Sequence, residues 1–132
     1  MLTGGCYCGQ IRYEVTVETL DSSVCHCVDC RRVAGAPVVD WFTVPAVAVR
    51  FVAGSPKVFA SSAHAQRGFC AACGTPLTYV NAHAPESVDI TTCSLDDPAL
   101  VPPQEHIYIR SRIGWVRFVD GLPAFEGLRP KP

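Results

Sequence analysis

Gly4–Glu18 reads GGCYCGQIRYEVTVE, and this stretch carries both signals that decide the fold. In its second half Ile11, Tyr13, Val15 and Val17 alternate with Arg12, Glu14, Thr16 and Glu18, the period of two expected of a half-buried β-strand. In its first half Cys6 and Cys8 form a CxC turn set between glycines, a pattern that packing alone seldom produces. A strand tied to a cysteine turn is therefore the unit to look for elsewhere.

Working outward, short β-rich runs follow at VVDWFTV, VRFV, KVFAS, LTYV, SVDITTCSL, HIYIRSR and WVRFVD. Between them AGSPK, CGTP, LDDP and VDGLP supply the Gly, Asp and Pro of turns. Helical stripes are interrupted by Gly35, Pro37, Pro45, Pro56 and Pro85, which leaves one turn of helix through VDCRR, after Cys27. The expectation is a mostly β fold with little helix.

The chain has 132 residues, enough for one domain with a real core, so residues 1–132 are read as a single domain with no internal repeat or linker. Apolar residues make up 48%, charged residues 17%, and the net charge is -1, a balance that argues against a nucleic-acid binder. The start MLTGGCYCGQ lacks the basic and apolar regions of a secretory signal, and no run is long enough to span a membrane. The expected location is the cytoplasm. Eight cysteines in a reducing compartment call for a role other than disulfides, and metal binding is the leading one.

Cys6 and Cys8 of the opening stretch pair with Cys70 and Cys73 of FCAACGTP to make a four-thiolate set. Zinc takes four sulfurs tetrahedrally, and two glycine-flanked turns can converge on one ion, so this set is expected to be a closed, structural site. A second group, Cys25, Cys27 and Cys30 of VCHCVDC, has only three thiols. Either Cys93 or a histidine closes it, or the fourth position is left open for water or substrate, as in catalytic zinc sites. Cys93, in ITTCSLDD, otherwise reads as a small residue of a strand face shared with Asp89 and Thr91. His26 is expected to point away from the metal that its neighbours bind; His64, His83 and His106 read as isolated surface or strand histidines, His106 being the one that could lie near a site.

Three thiolates on a zinc dication leave a net charge of about -1, which makes a poor Lewis acid but a suitable seat for a soft ligand. A free thiol with a pKa of about 8.5 is roughly 3% ionised at pH 7, whereas a metal-bound thiol is deprotonated outright. Full ionisation gives at most about thirtyfold, roughly 2 kcal/mol, so a pocket that positions an electrophile beside the metal is expected as well. Trp41, Phe42 and Trp115 are candidates for its wall, with core packing the alternative for each.

GGCYCGQIRYEV, CHCVDCRRVAGAP, FCAACGTPL, SLDDP, EHIYIRSRIGWV and DGLPAFEG, in this order and spacing, resemble the glutathione-dependent formaldehyde-activating enzymes, whose domain is shared with centromere protein V. The resemblance covers nearly the whole chain. It implies a zinc-stabilised, β-tent-type domain with two zinc ions: a structural one on Cys6, Cys8, Cys70 and Cys73, and a catalytic one on Cys25, Cys27 and Cys30. The implied reaction joins glutathione to formaldehyde as S-(hydroxymethyl)glutathione, a carbon–sulfur lyase reaction in reverse, without a redox cofactor. Many members carry glycine where this chain has Cys93.

The resulting expectation is a zinc-dependent carbon–sulfur lyase or synthase whose partners are glutathione, or another small thiol, and its adduct with formaldehyde or another small aldehyde. The incoming thiol would take the open zinc position, lose its proton and add to the carbonyl. Arg31 and Arg32 read either as partners of the glutathione carboxylates or as a solvated basic turn. The alternative function is a non-catalytic zinc module that binds a thiol, peptide or protein.

Overall fold

The computed structural model describes residues 1–17 and 20–131. In chain order its elements are β1 (Leu2–Gly5), β2 (Arg12–Val15), β3 (Asp21–Cys25), α1 (Val28–Ala34), β4 (Val39–Pro45), β5 (Val49–Ala53), β6 (Lys57–Ala60), β7 (Ala65–Phe69), β8 (Pro76–Asn81), β9 (Ser87–Thr91) and β10 (His106–Ile107). The mostly β expectation holds. A three-stranded antiparallel sheet runs β1-β2-β5, and a seven-stranded sheet runs β10-β3-β4-β9-β8-β7-β6, antiparallel apart from the parallel β10–β3 pair. Among the described residues no helix is long and apolar enough to cross a membrane.

The alternation in the opening stretch becomes burial: Ile11, Tyr13 and Val15 sink into the core while Arg12 and Glu14 stay partly exposed. Glu18, at the end of that run, lies outside the described residues. The core joins both sheets, with Tyr13 and Val15 packed in one cluster with Phe42, Val44, Leu77, Val88 and Ile90. The buried Tyr13 hydroxyl is paired with Ser94 Oγ at 2.7 Å, so its polar end is satisfied. Asp96 accepts from Arg12 (2.9 Å) and Thr3 (2.7 Å), tying the β1–β2 hairpin to the LDDP turn.

The two faces of the large sheet do different things. Phe42, Val44, Val88 and Ile90 face the core. The opposite face carries a cross-strand row of Phe59, Arg67, Tyr79, Asp89 and Thr43, with Trp41 beside it. A neighbouring pair such as Trp41 and Phe42 thus divides between site and core.

Several local expectations are corrected. The helix after Cys27 runs for seven residues rather than one turn, because the Cys27 sulfur caps its start and Gly35, in the left-handed region at φ 62°, closes its end. SVDITTCSL stops as a strand at Thr91 and tightens into a 3₁₀ turn over Thr92–Ser94, so Cys93 lies on a turn and is exposed. HIYIRSR keeps two strand residues before Tyr108 turns left-handed at φ 55°. WVRFVD is no strand: the free edge of β10 is occupied by residues 123–127, which bond to His106, Tyr108 and Ile109, and the run is left without a ladder. β1, β3 and β7 are strands that the sequence reading passes over, β3 and β7 because serines, glutamine and glycine dilute their patterns.

Candidate metal centres and the adjoining cavity

Cys6 and Cys8 sit on the turn joining β1 to β2, and Cys70 and Cys73 on the turn joining β7 to β8. Each turn closes through a glycine with positive φ, Gly9 at 81° and Gly74 at 82°, whose N–H donates to the carbonyl of Cys6 or Cys70. The turns are held together by the Tyr7 N–H, which donates to Thr75 Oγ1 at 3.0 Å. All four sulfurs lie within 4.8 Å of one another, with Cys6–Cys8 at 3.6 Å and Cys8–Cys70 at 3.8 Å. A tetrahedral ion with metal–sulfur bonds of about 2.3 Å has sulfur–sulfur edges of about 3.8 Å, so the group fits zinc without rearrangement.

The donor environment fits as well. The N–H groups of Ile11 and Cys73 donate to the sulfurs of Cys6 (3.3 Å) and Cys70 (3.4 Å), an arrangement that favours thiolate over thiol. Bonding from the Thr75 hydroxyl, with the Thr75 backbone, draws the Cys73 thiol down to about 5.

The second group forms where β3 runs into α1. Cys25 is the last residue of β3, Cys27 is the helix N-cap, and Cys30 lies in the first turn. The Cys27 sulfur accepts from the Cys30 N–H at 3.3 Å, the part usually played by a Ser or Asp oxygen. The three sulfurs lie within 4.8 Å of one another. Hydrogen bonding from the Cys25 thiol, then from Cys30, pulls Cys27 down to about 2, while the same contacts push Cys25 up. Three thiols converging in this way are a donor set suited to a thiophilic cation. Cys93 belongs to neither group.

His26 turns away from the sulfurs, as the alternation about it requires, and is buried. It does not stand alone: His26 Nε2 lies 3.0 Å from His106 Nδ1, and His106 Nε2 lies 2.8 Å from Asp120 Oδ2. With the His106 Nε2–H donating to the carboxylate, its Nδ1 accepts from the His26 Nε2–H, and His26 Nδ1 is left without a partner among the described residues. Burial, the largest cause, lowers the His26 pKa, in keeping with a neutral His26. His106 is thus a strand histidine, in β10, but buried and hydrogen-bonded rather than isolated, whereas His64 and His83 are exposed, their rings 4.4 Å apart.

A cavity of about 250 Å³ opens between α1 and the site face of the sheet, walled by Val33, Trp41, Phe59 and Phe69, bordered by Arg67 and reaching Gly74 and Pro76 of the β7–β8 turn; it meets the three-cysteine group through Trp41 and Arg67 rather than through the cysteines themselves. Trp41 also packs against Cys25 and Cys30, so of the three aromatic candidates it is the one in the wall. Phe42 is wholly in the core, and Trp115 is exposed and away from the cavity. Arg31 donates to the Ser111 carbonyl at 2.9 Å, and Arg32 is exposed. Arg67, which the sequence reading does not single out, is buried with both terminal nitrogens 3.8 Å from the Cys30 sulfur. Its signal in the sequence is faint, an arginine three residues before a CxxC turn.

The family model described as "Glutathione-dependent formaldehyde-activating enzyme" matches residues 1–111. The chain belongs to this family. An uncharacterized lyase of Schizosaccharomyces pombe is 34% identical over 86 residues, which span 62% of this chain and 61% of that relative. A crystal structure of a Rhodobacter sphaeroides protein superposes with a TM-score of 0.61 at 20% identity, covering 93% of this chain and 98% of that one, and so shares the fold.

Proposed function

We propose that the chain is a zinc-dependent carbon–sulfur lyase or synthase acting on the adduct of glutathione, or another small thiol, with formaldehyde or another small aldehyde. Cys6, Cys8, Cys70 and Cys73 hold a structural ion; Cys25, Cys27 and Cys30 hold a second ion with one position left for the sulfur of the substrate. The observation that carries this reading is the unequal count: four thiols converge in one group and three in the other, with Cys93 outside both. The cavity reached through Trp41 and Arg67, which touch the smaller group, supports it.

Zinc bound by the three cysteines would supply a seat on which a substrate thiol is held as thiolate. The chain's own residues do the rest. The Cys30 N–H and the β3–α1 turn keep the three sulfurs in place, so little reorganisation is needed on binding. Trp41, Phe59 and Phe69 give the cavity an apolar wall against which a small aldehyde would be positioned. In the synthetic direction the sulfur lone pair forms the bond to the aldehyde carbon and the carbonyl oxygen takes a proton; cleavage reverses both.

Zinc counting with zinc K-edge absorption, with and without glutathione, tests this on the wild type and Cys93→Ala. Expected are two zincs per chain and an average of about 3.5 sulfurs per zinc, rising to about four with thiol, in both proteins. Four sulfurs per zinc before any thiol is added would refute the open position and mark a non-catalytic zinc module. Exchange spectroscopy of glutathione and formaldehyde then tests the aldehyde: no acceleration over the spontaneous reaction removes formaldehyde as the substrate.

A further inference from the structure

Arg67 lies in the middle of β7, between Phe59 of β6 and Tyr79 of β8, and is 7% exposed. An arginine is almost never buried unless its charge is paired. Among the described residues none of the ion pairs includes Arg67. The acidic side chain on the same face, Asp89, lies beyond Tyr79 and accepts from the Thr43 hydroxyl at 2.5 Å. What the guanidinium does meet is sulfur and an aromatic face: both terminal nitrogens are 3.8 Å from the Cys30 sulfur, and its carbon is 4.9 Å from the centre of the Tyr79 ring. Trp41 packs edge-on against that ring, 6.3 Å between centres, so the plane on which the guanidinium rests is itself held. Arg67 cannot swing far from the sulfur.

We propose that Arg67 is the fixed counter-charge that lets the Cys25, Cys27 and Cys30 centre accept an anionic fourth sulfur. This rests on the open-site reading above. Three thiolates and a dication sum to -1, and Arg67 brings the buried centre to neutrality. A fourth thiolate then takes it to -1 with Arg67 present, and to -2 without it. A neutral fourth ligand changes neither count. Arg67 therefore favours anionic ligands over neutral ones, which is the selection a thiol-using site needs.

The four-cysteine group shows the contrast. Its thiolates and dication sum to -2; Cys6 and Cys70 are buried, but Cys8 is exposed and Cys73 half-buried, so water screens the group from that side. Arg12, the basic side chain beside Cys6, is committed to Asp96 at 2.9 Å. A closed site that meets water on one side and gains no charge during its work needs no internal cation. A buried site that gains an anion during its work does.

The test replaces zinc by cobalt(II) and follows the visible bands of the metal, whose change reports only the site where a ligand arrives. Wild type, Arg67→Gln and Arg67→Lys are each titrated with 2-mercaptoethanol, a thiol without carboxylates for an arginine to bind, and separately with imidazole, a neutral ligand. At an effective dielectric near 20, removing a unit charge within ~6 Å of the incoming anion weakens its binding by on the order of ten- to a hundredfold. We expect that loss for 2-mercaptoethanol with Arg67→Gln, less than about threefold for imidazole, and an intermediate thiol affinity for Arg67→Lys.

Equal thiol affinity in Arg67→Gln and wild type overturns the proposal. So do equal losses for both ligands, or loss of the second metal from both variants while the first stays bound, since these assign Arg67 to holding the cysteine turn rather than to charge. A wild-type spectrum that no thiol alters removes the open-site reading, and this proposal with it, whatever the variants do.

Discussion

Replacing His106 by alanine breaks a buried chain of hydrogen bonds at its middle, and the cost follows from what is left behind. His26, 1% exposed, keeps an Nε2 that was hydrogen-bonded over 3.0 Å and now has no partner; a buried unsatisfied polar group costs about 1–3 kcal/mol. Truncating the imidazole, which packs against the Phe118 ring at 4.7 Å, removes buried contacts and opens a cavity, adding about 1–2 kcal/mol. The freed Asp120 carboxylate is 35% exposed and is satisfied by water. The expected total is about 2–5 kcal/mol, against about 1 kcal/mol or less for Asp120→Asn. The assay is urea unfolding of the metal-loaded protein at pH 7.5, read as a lower midpoint with unchanged slope. Because β10 pairs with β3 at Val24 and Cys25, faster zinc loss from the second group should accompany the change. A His106→Ala loss below about 1 kcal/mol, or one no larger than that of Asp120→Asn, would refute the hydrogen-bond assignment.

Leu77 is 0% exposed within the joint core, so Leu77→Ala should lower unfolding stability by about 2–5 kcal/mol, while Trp115→Ala at a 72% exposed position should change it by less than about 0.5 kcal/mol. Asp89 predicts a pH dependence: burial raises its folded pKa above the ordinary carboxylate value, so the folded state holds the proton more tightly than the unfolded state does. Its contribution is full below the unfolded pKa of about 3.9 and is lost as pH rises through the folded value. The stability of Asp89→Asn relative to wild type should therefore become more favourable as pH rises from about 4, and a difference flat in pH would contradict the burial argument.

How much was legible follows from how local each signal is. The opening stretch announces β2 because burial alternates residue by residue, and the cysteine turns announce themselves because CxC and CxxC between glycines are short-range patterns. The length of α1 is not legible because Cys27 does the work of a cap, a role in which serine, threonine or aspartate is expected. WVRFVD looked like a strand on propensity alone, but a strand needs a partner edge, and residues 123–127 already occupy it. The His26–His106 pair and the Arg67–Cys30 contact join residues 80 and 37 positions apart. Nothing in a single sequence marks such pairs, because they depend on which strands become neighbours.

The same topology bears on why the two cysteine groups should differ in role. Cys6 and Cys8 leave the three-stranded sheet and Cys70 and Cys73 leave the seven-stranded one, so an ion bound among them cross-links the two sheets. Cys8 and Cys70 are separated by 62 positions, and closing a loop of that length removes much of the freedom of the unfolded chain. Cys25, Cys27 and Cys30 come from one turn and its first helical residues, so an ion there spans almost no sequence and ties no sheet to another. Its binding energy does little for the global fold. What that second group has instead is an arginine against one of its sulfurs, at the edge of a cavity that runs on to the β7–β8 turn, a feature of no use to a cross-link but in keeping with the proposed ligand-exchanging site.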